Sequence, residues 1–353
     1  SSSYLPCKCL ARQSIEQLGD VNMAQITVIT SAYNVGAYIE RYVSSLKSQT
    51  FKDFVVICRD DHSSDDTLEK LRELCKDDDR FQIIESAQNE GVYYNLKQTL
   101  DSVETPYLCF LDPDDWIDDA YLESLYDAIV QSDADMAKAS LARDYDTGRV
   151  VYDHKNAKIR KDISKRRHVA LHFCGSQWIT NLYRTSFIRQ HHISFQTRAS
   201  GLEWDCDDIF ILNILLNNPK IAFCDNVFYH YYQRSTSAVH QINALRFTST
   251  IKSRQIETEL LNQYYRDKKI SKKDYISIIS RLLIELSKHY RIYTSQEHFD
   301  KRAYLSGMQE IVEAAIYCPS YSFVERLESK DLDMAGKRLS TKPLYYIDRL
   351  RAW

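Results

Sequence analysis

Three carboxylates crowd one short turn of this 353-residue chain: Asp112, Asp114 and Asp115, around Pro113. Carboxylates this close repel one another unless positive charge sits among them. Hard oxygen donors suit Mg²⁺ or Mn²⁺, an ion that one or two carboxylates hold and whose shell substrate phosphates complete. The plainer alternative is a solvated acidic turn with proline at its second position. A second acidic pair, Asp60 and Asp61, could accept hydrogen bonds from a base or a ribose, or could cap the loop that leads to Asp65.

These acids need elements to hold them. Ile26–Thr30 is short, β-branched and apolar, which predicts a strand. Ile39, Tyr42, Val43 and Leu46 then recur at helical spacing. Phe54–Cys58 reads as a second strand, and a helix with Leu68, Leu71, Leu74 and Cys75 opens at Asp65-Asp66-Thr67. A third strand is expected at Phe81–Ile84, a helix around Asn95–Val103, and a fourth strand at Tyr107–Leu111, running straight into the acidic turn. A helix with Leu122, Leu125, Ile129 and Val130 follows. Strands alternating with helices predict an α/β fold with a mostly parallel sheet flanked by helices on both faces. Ligands of such sheets bind beyond the carboxyl ends of the strands, where the strand order reverses. The loops after Thr30, Cys58 and Leu111 should therefore meet at one crevice. A further α/β segment runs from Phe173 to about Arg234, and from about 240 the pattern turns helical. Ser271 with Asp274 reads as a helix cap ahead of Ile276, Ile279, Leu283, Leu286 and Tyr290. The organisation expected is a lead-in (1–23), an α/β domain (24–238) and a helical C-terminal extension (239–353).

A formal net charge of −3 gives no pointer to nucleic acid or to a membrane surface. No run approaches the roughly 20 apolar residues a spanning helix needs, and Ser1–Cys9 lacks the apolar centre of a signal peptide. The nine cysteines are odd in number, scattered and partly inside apolar runs, a pattern of reduced thiols in a cytoplasmic protein. The basic stretch 155–168 reads as a solvated loop, or as an attractor of an anionic acceptor or lipid headgroups. The aromatics and arginines of 342–353 could touch the inner face of a membrane or dock as a helix. The sequence does not address oligomeric state.

Several pieces in order resemble family-2 glycosyltransferases of the GT-A (Rossmann-like) fold, over roughly Ile26–Ser237. They are Val28-Ile-Thr-Ser-Ala-Tyr33-Asn34, Leu46-Lys-Ser-Gln49-Thr50-Phe51, Asp60-Asp61-His-Ser63-Ser-Asp65-Asp-Thr67, Asn89-Glu-Gly91, Phe110-Leu-Asp112-Pro-Asp114-Asp115-Trp116, Asp207-Asp208-Ile-Phe210 and Tyr229-His-Tyr-Tyr-Gln-Arg234-Ser-Thr-Ser237. The resemblance implies an inverting, metal-dependent transfer from a nucleotide-sugar, UDP-linked, to a glycan or glycolipid acceptor in surface-polysaccharide synthesis. It divides the α/β domain into a nucleotide-sugar half (24–117) and an acceptor half (118–238). By the same implication Ser31, Tyr33, Asn34, Asp60, Asp61, Asn89, Asp112 and Asp114 bind the nucleotide-sugar, Asp61 meeting the base. Arg234, Ser235 and Ser237 would fold over the diphosphate. Asp114 and Asp115, with His230, would hold Mn²⁺ or Mg²⁺. Asp208 stands at the family's general base, with Asp207 where a glutamate is usual. Ser31 replaces a common proline, and Leu96-Lys97 a common Arg-Asn pair.

The chemistry fits these groups. A leaving diphosphate gains negative charge, which a metal or a fixed arginine such as Arg234 offsets. The acceptor hydroxyl needs a carboxylate to take its proton. Acids are also favoured in the first turn of any helix, so Asp207 and Asp208 have a plainer reading too. His230 could equally be a packed histidine on an aromatic strand. Trp178 and Trp204, with Glu203 nearby, could line an acceptor pocket, although either indole could be core. A nucleotidyltransferase would want a basic, glycine-rich loop after the first strand, and Ser31–Gly36 carries no Lys or Arg. A non-catalytic binding module is disfavoured by intact Asp114, Asp115 and Asp208.

Overall fold

The computed structural model describes residues 24–153, 175–202, 204–233, 244–293 and 299–317. The first half follows the alternation in the sequence: β1 (Ile26–Ala32), α1 (Ile39–Lys47), β2 (Phe54–Asp60), α2 (Thr67–Cys75), β3 (Phe81–Glu85), α3 (Val92–Ser102) and β4 (Tyr107–Phe110). These four strands lie parallel in the order β3-β2-β1-β4. The chain thus leaves β1 to one side for β2 and β3, then returns across it to β4. That reversal opens a crevice at the carboxyl ends of β1 and β4. β1 is buried along almost its whole length, as expected of a strand covered on both faces. Ile39, Tyr42, Val43 and Leu46 of α1 pack their shared face into this core.

The second half is mixed rather than parallel. It comprises β5 (Trp116–Ile117), α4 (Tyr121–Gln131), β6 (Met136–Tyr145), β7 (Val150–Asp153), β8 (Asn181–Arg184), α5 (Thr185–Gln190), α6 (Cys206–Leu216) and β9 (Ile221–Gln233). The sheet continues from β4 through β8, β6 and β9 to β5. β8 runs antiparallel to both β4 and β6, β9 runs parallel to β6, and β5 runs antiparallel to β9. The parallel expectation therefore holds for β1 to β4 and gives way where β8 enters.

Gln49, quoted above as part of a motif, is a fully buried structural clamp. Its Nε2 donates to the Ser45 and Asp118 carbonyls, and its Oε1 accepts from the Leu122 N–H. It thereby joins the end of α1 to the start of α4.

Three helices complete the described chain: α7 (Ala244–Arg266), α8 (Lys272–Tyr293) and α9 (Lys301–Ala314). Ser271 caps α8 by accepting from the Asp274 N–H at 3.1 Å, while its hydroxyl donates to the Asp274 carboxylate. The helical region is not a bead on a string. Leu261, Tyr264, Tyr275, Ile278 and Leu282 belong to the same hydrophobic core as the sheet. A smaller cluster around Leu286, Tyr304, Met308 and Ile311 holds the three helices together.

Gly307 marks the tightest point of that packing. A Cβ there would stand 2.4 Å from the Ile251 Cγ2 of α7. Gly307→Val is expected to lower unfolding stability by about 1–3 kcal/mol through overpacking. Urea unfolding of the variant beside wild type checks this, and equal midpoints would show that α9 can lift away freely.

Candidate active site

The crevice at the carboxyl edge has a volume of about 700 Å³ and draws on both halves of the sheet. Its rim is stiffened by hydrogen bonds between the loops. The Tyr42 hydroxyl donates to the Thr30 Oγ1, which donates to the Leu111 carbonyl, tying the ends of β1 and β4. Asn34, in a left-handed conformation, accepts from the Ser64 N–H at 2.8 Å, and its own N–H donates to the Ser63 Oγ. Asp60 accepts from the Ser63 N–H. Asp65 accepts from the Gly36 and Thr67 N–H groups. Asn34 and Asp60, expected to touch the nucleotide, instead hold the loops after β1 and β2 together, and neither lines the crevice.

Ser31, Tyr33, Asp61 and Asn89 do line it. Asp61 is buried, and its two oxygens accept from the Glu90 and Gly91 N–H groups at 2.8 and 2.9 Å. Its first duty is therefore to shape the loop that opens α3. Gly91 has φ of 92° and ψ of 151°, a backbone region open essentially to glycine alone. A Cβ there would also press to 3.1 Å from the Arg198 Nε. Arg198 donates to the carbonyl and side-chain oxygens of Asn89, closing the loop from the other side.

The acidic turn divides its labour. Asp112 and Asp114 line the crevice. Asp115 is fully buried behind them, and both of its oxygens are engaged, by the Tyr229 hydroxyl at 2.7 Å and the Tyr232 N–H at 2.8 Å. The Tyr229 hydroxyl also accepts from the Asp112 N–H. Asp115 thus pins the turn to β9, which corrects its expected place as a metal ligand. His230 needs the same correction. One ring nitrogen faces Asp144 and the other Asp118, each at 2.9 Å, and the ring stacks on Trp116. No nitrogen is left for an ion, and the packed-histidine alternative describes it.

Across the crevice stands the first turn of α6. Asp207 lines the crevice and accepts from the Tyr93 hydroxyl at 2.8 Å. Asp208, at the position the resemblance marks as base, turns the other way and accepts from the Arg254 guanidinium of α7 at 2.6 Å. Burial, then the charges of Asp114 and Asp207, push the Asp112 carboxyl up to about 7. Burial, then the charges of Asp208 and Asp205, push Asp207 up to about 7. Trp178 borders the crevice but packs on Phe110, Phe195 and Phe210, so it serves the core as well. Trp204 borders it too, with the Arg246 guanidinium 4.8 Å over its ring. Glu203, Arg234, Ser235 and Ser237 lie outside the described residues.

Five groups in or behind the site were missed from the sequence: Tyr93, Arg143, Arg198, Arg246 and Arg254. Tyr93 carried a usable signal, two residues past the Asn89-Glu-Gly91 motif. The arginines carried none, since a lone arginine on a polar stretch reads as surface.

The donor set suits a hard divalent ion. Asp112 and Asp114 offer oxygen ligands side by side on the crevice wall, and burial, with the charges of Asp114 and Asp207, raises Asp112. Among the described residues no three ligating side chains converge.

A β3-β2-β1-β4 sheet whose carboxyl edge bears this acidic turn, opposite an acid on a helix start, defines a GT-A-type fold. Comparison with known proteins agrees. The sequence model of glycosyl transferase family 2 matches residues 27–196, and over that stretch the chain is similar to the family. EpsH of Bacillus subtilis, named as a glycosyltransferase, is 26% identical over 229 residues. That match covers 64% of this chain and 65% of EpsH, just under two thirds of the relative's length. The poly(ribitol-phosphate) β-N-acetylglucosaminyltransferase TarP of Staphylococcus aureus is 26% identical over 60% of this chain and 62% of its own. Among solved structures, S. aureus TarS 1–349 superposes with a TM-score of 0.64 at 18% identity, covering 88% of each chain. The same fragment in complex with UDP-GlcNAc gives 0.56 at 17% identity. These likenesses establish the shared fold. Among the described residues no helix is long and apolar enough to cross a membrane.

The His230 clasp yields a pH signature. Burial alone would lower its pKa, but the hydrogen bonds and charges of Asp118 and Asp144 outweigh burial and raise it. A folded value above the unfolded one gives stabilisation that is complete below roughly pH 6.5 and fades as pH rises through the raised value. The stability lost in His230→Gln, read from urea unfolding, should therefore be larger in acid than at alkaline pH. A loss independent of pH would mean that the ring is neutral throughout.

Proposed function

We propose that this protein transfers a sugar from a UDP-linked donor to a hydroxyl of a glycan or glycolipid, with inversion, using Mn²⁺ or Mg²⁺. The observation that carries the reading is the sharing of one crevice by Asp112 and Asp114 at the end of β4 and Asp207 on the facing helix. The UDP-GlcNAc complex of TarS and the name of TarP support a UDP-sugar and a surface-polymer acceptor. The unpaired, buried Cys58, Cys75, Cys109 and Cys206 support work in a reducing compartment, the cytoplasm, with any membrane contact peripheral.

The roles follow from position. Tyr33 and Ser31 border the nucleotide end of the crevice, over the loop that Asp61 shapes. Asp114, with Asp112 beside it, would hold the ion, whose chemistry when bound is to offset negative charge on the leaving diphosphate. Asp207 takes the proton from the acceptor hydroxyl, and Tyr93 fixes its carboxyl. A base poised near neutral combines availability with basicity. Attack by the hydroxyl opposite the leaving group inverts the anomeric centre. Trp204, with Arg246 over its ring, supplies an aromatic wall on the acceptor side.

Titration calorimetry with UDP tests the donor site. Binding in the presence of Mn²⁺ should vanish with EDTA and in Asp114→Ala. Binding indifferent to both would overturn the metal assignment, and no UDP binding at all would overturn the donor.

Turnover of UDP-sugars tests the base. Asp207→Asn should lower kcat by about 10²–10⁴-fold, the worth of a general base. The value of kcat/KM should fall as pH drops below about 7, because Asp207 and Asp112 then take up protons. A larger loss in Asp208→Asn than in Asp207→Asn would return the base to Asp208.

A further inference from the structure

One face of α7 is polar, buried and turned toward the first turn of α6. Ser249, Thr250, Ser253 and Arg254 fall on it at helical spacing, and all are nearly inaccessible, Arg254 at 2% exposure. Burying four polar side chains is costly unless each is paired. Every one of them is paired with residues 204–208. The Ser249 Oγ accepts from the Trp204 N–H at 2.9 Å and donates to the Trp204 carbonyl at 3.0 Å. The Thr250 Oγ1 donates to the Asp205 carboxylate at 3.0 Å, and the Ser253 Oγ to the Asp205 carbonyl. Arg254 donates to Asp208 at 2.6 Å.

The segment so held is one that would not hold itself. Asp205 has φ of 62°, a left-handed conformation uncommon for residues other than glycine. The clamp is itself braced from behind. Arg254 also donates to the fully buried Glu257 at 2.6 Å and lies 3.7 Å from Glu285 of α8. On the opposite side the Tyr93 hydroxyl holds Asp207. The turn is thus gripped from both flanks, through Asp208 by the helical region and through Asp207 by α3.

We propose that α7 is a positioning element of the catalytic site, in which Arg254, with Ser249, Thr250 and Ser253, fixes residues 204–208 so that Asp207 presents its carboxyl to the crevice. This rests on reading Asp207 as the base. Arg254 does not line the crevice and acts through Asp208 and the helix start. The helical region is then part of the catalytic apparatus, and its contribution falls on turnover rather than on nucleotide affinity.

The test compares Arg254→Met, Arg254→Lys and Thr250→Val with wild type in the full chain. Three quantities are read: kcat and KM for UDP release from UDP-GlcNAc with Mn²⁺, UDP affinity by calorimetry, and amide hydrogen exchange. Arg254→Met should lower kcat by about 10²-fold, the scale of a small misplacement of a catalytic group. KM and UDP affinity should hold, and Arg254→Lys should recover part of the loss. Thr250→Val, which keeps the side-chain shape, should lower kcat in the same sense. In both Arg254→Met and Thr250→Val, amides 204–208 should exchange faster while those of β1 to β4 keep wild-type protection. Wild-type kcat in Thr250→Val, with protection lost across the whole sheet in Arg254→Met, would reduce the clamp to a folding role and overturn the proposal. If wild type itself turns over no donor, the functional reading fails on its own. Exchange at 204–208 then still decides, with faster exchange supporting the clamp and unchanged exchange overturning it.

Discussion

Negative charge gathered on the largely buried carboxylates of one crevice is the constraint around which this molecule is arranged. Asp112, Asp114 and Asp207 border one space; burial first raises both Asp112 and Asp207, and the charges of Asp114 and Asp207 add to it at Asp112, those of Asp208 and Asp205 at Asp207. Left to itself, such a cluster would push its walls apart. The walls stay put because each is anchored outside the crevice. The β4 turn is tied to β9 through Asp115 and Tyr229, and the α6 turn to α7 through Asp205 and Asp208.

The aspartates therefore form two populations with the same side chain and opposite duties. Asp61, Asp65, Asp115 and Asp205 accept from N–H and O–H donors of the protein, and Asp60 accepts through one of its oxygens. They replace water for loop groups that would otherwise be buried unpaired. Asp112, Asp114 and Asp207 line the crevice, as do Asp61 and Asp205 of the first set.

How much of this could be read from residues alone depended on which physical signal each part leaves. β1 and β4 were legible because well-buried strands leave short apolar or β-branched runs, as in Ile26–Thr30 and Tyr107–Leu111, while β3 was read from Phe81–Ile84 although it is only partly buried. In the mixed half only a further α/β segment was legible, and its short strands, β5 of two residues and β8 of four, are too brief to establish a period. Asp112 and Asp114 were found with the crevice they line, but the neighbouring Asp115 needed the structure to show which way it turns. Asp207 and Asp208 differ by one step of a helix, and only the partners Tyr93 and Arg254 separate them. α7 hid most completely. A face of serine, threonine and arginine reads as solvated, and nothing local reveals that its solvent is another part of the protein.

The shared core of sheet and helices has a practical side. Cutting the chain after β9 would remove Leu261, Tyr264, Tyr275, Ile278 and Leu282 and bare the apolar residues of the α/β part that share their core. A shortened catalytic fragment would then carry a broad apolar scar together with the orphaned carboxylates of Asp205 and Asp208. Such a fragment would be prone to clump rather than to work, so the smallest useful piece of this protein for expression or redesign has to carry its helices with it.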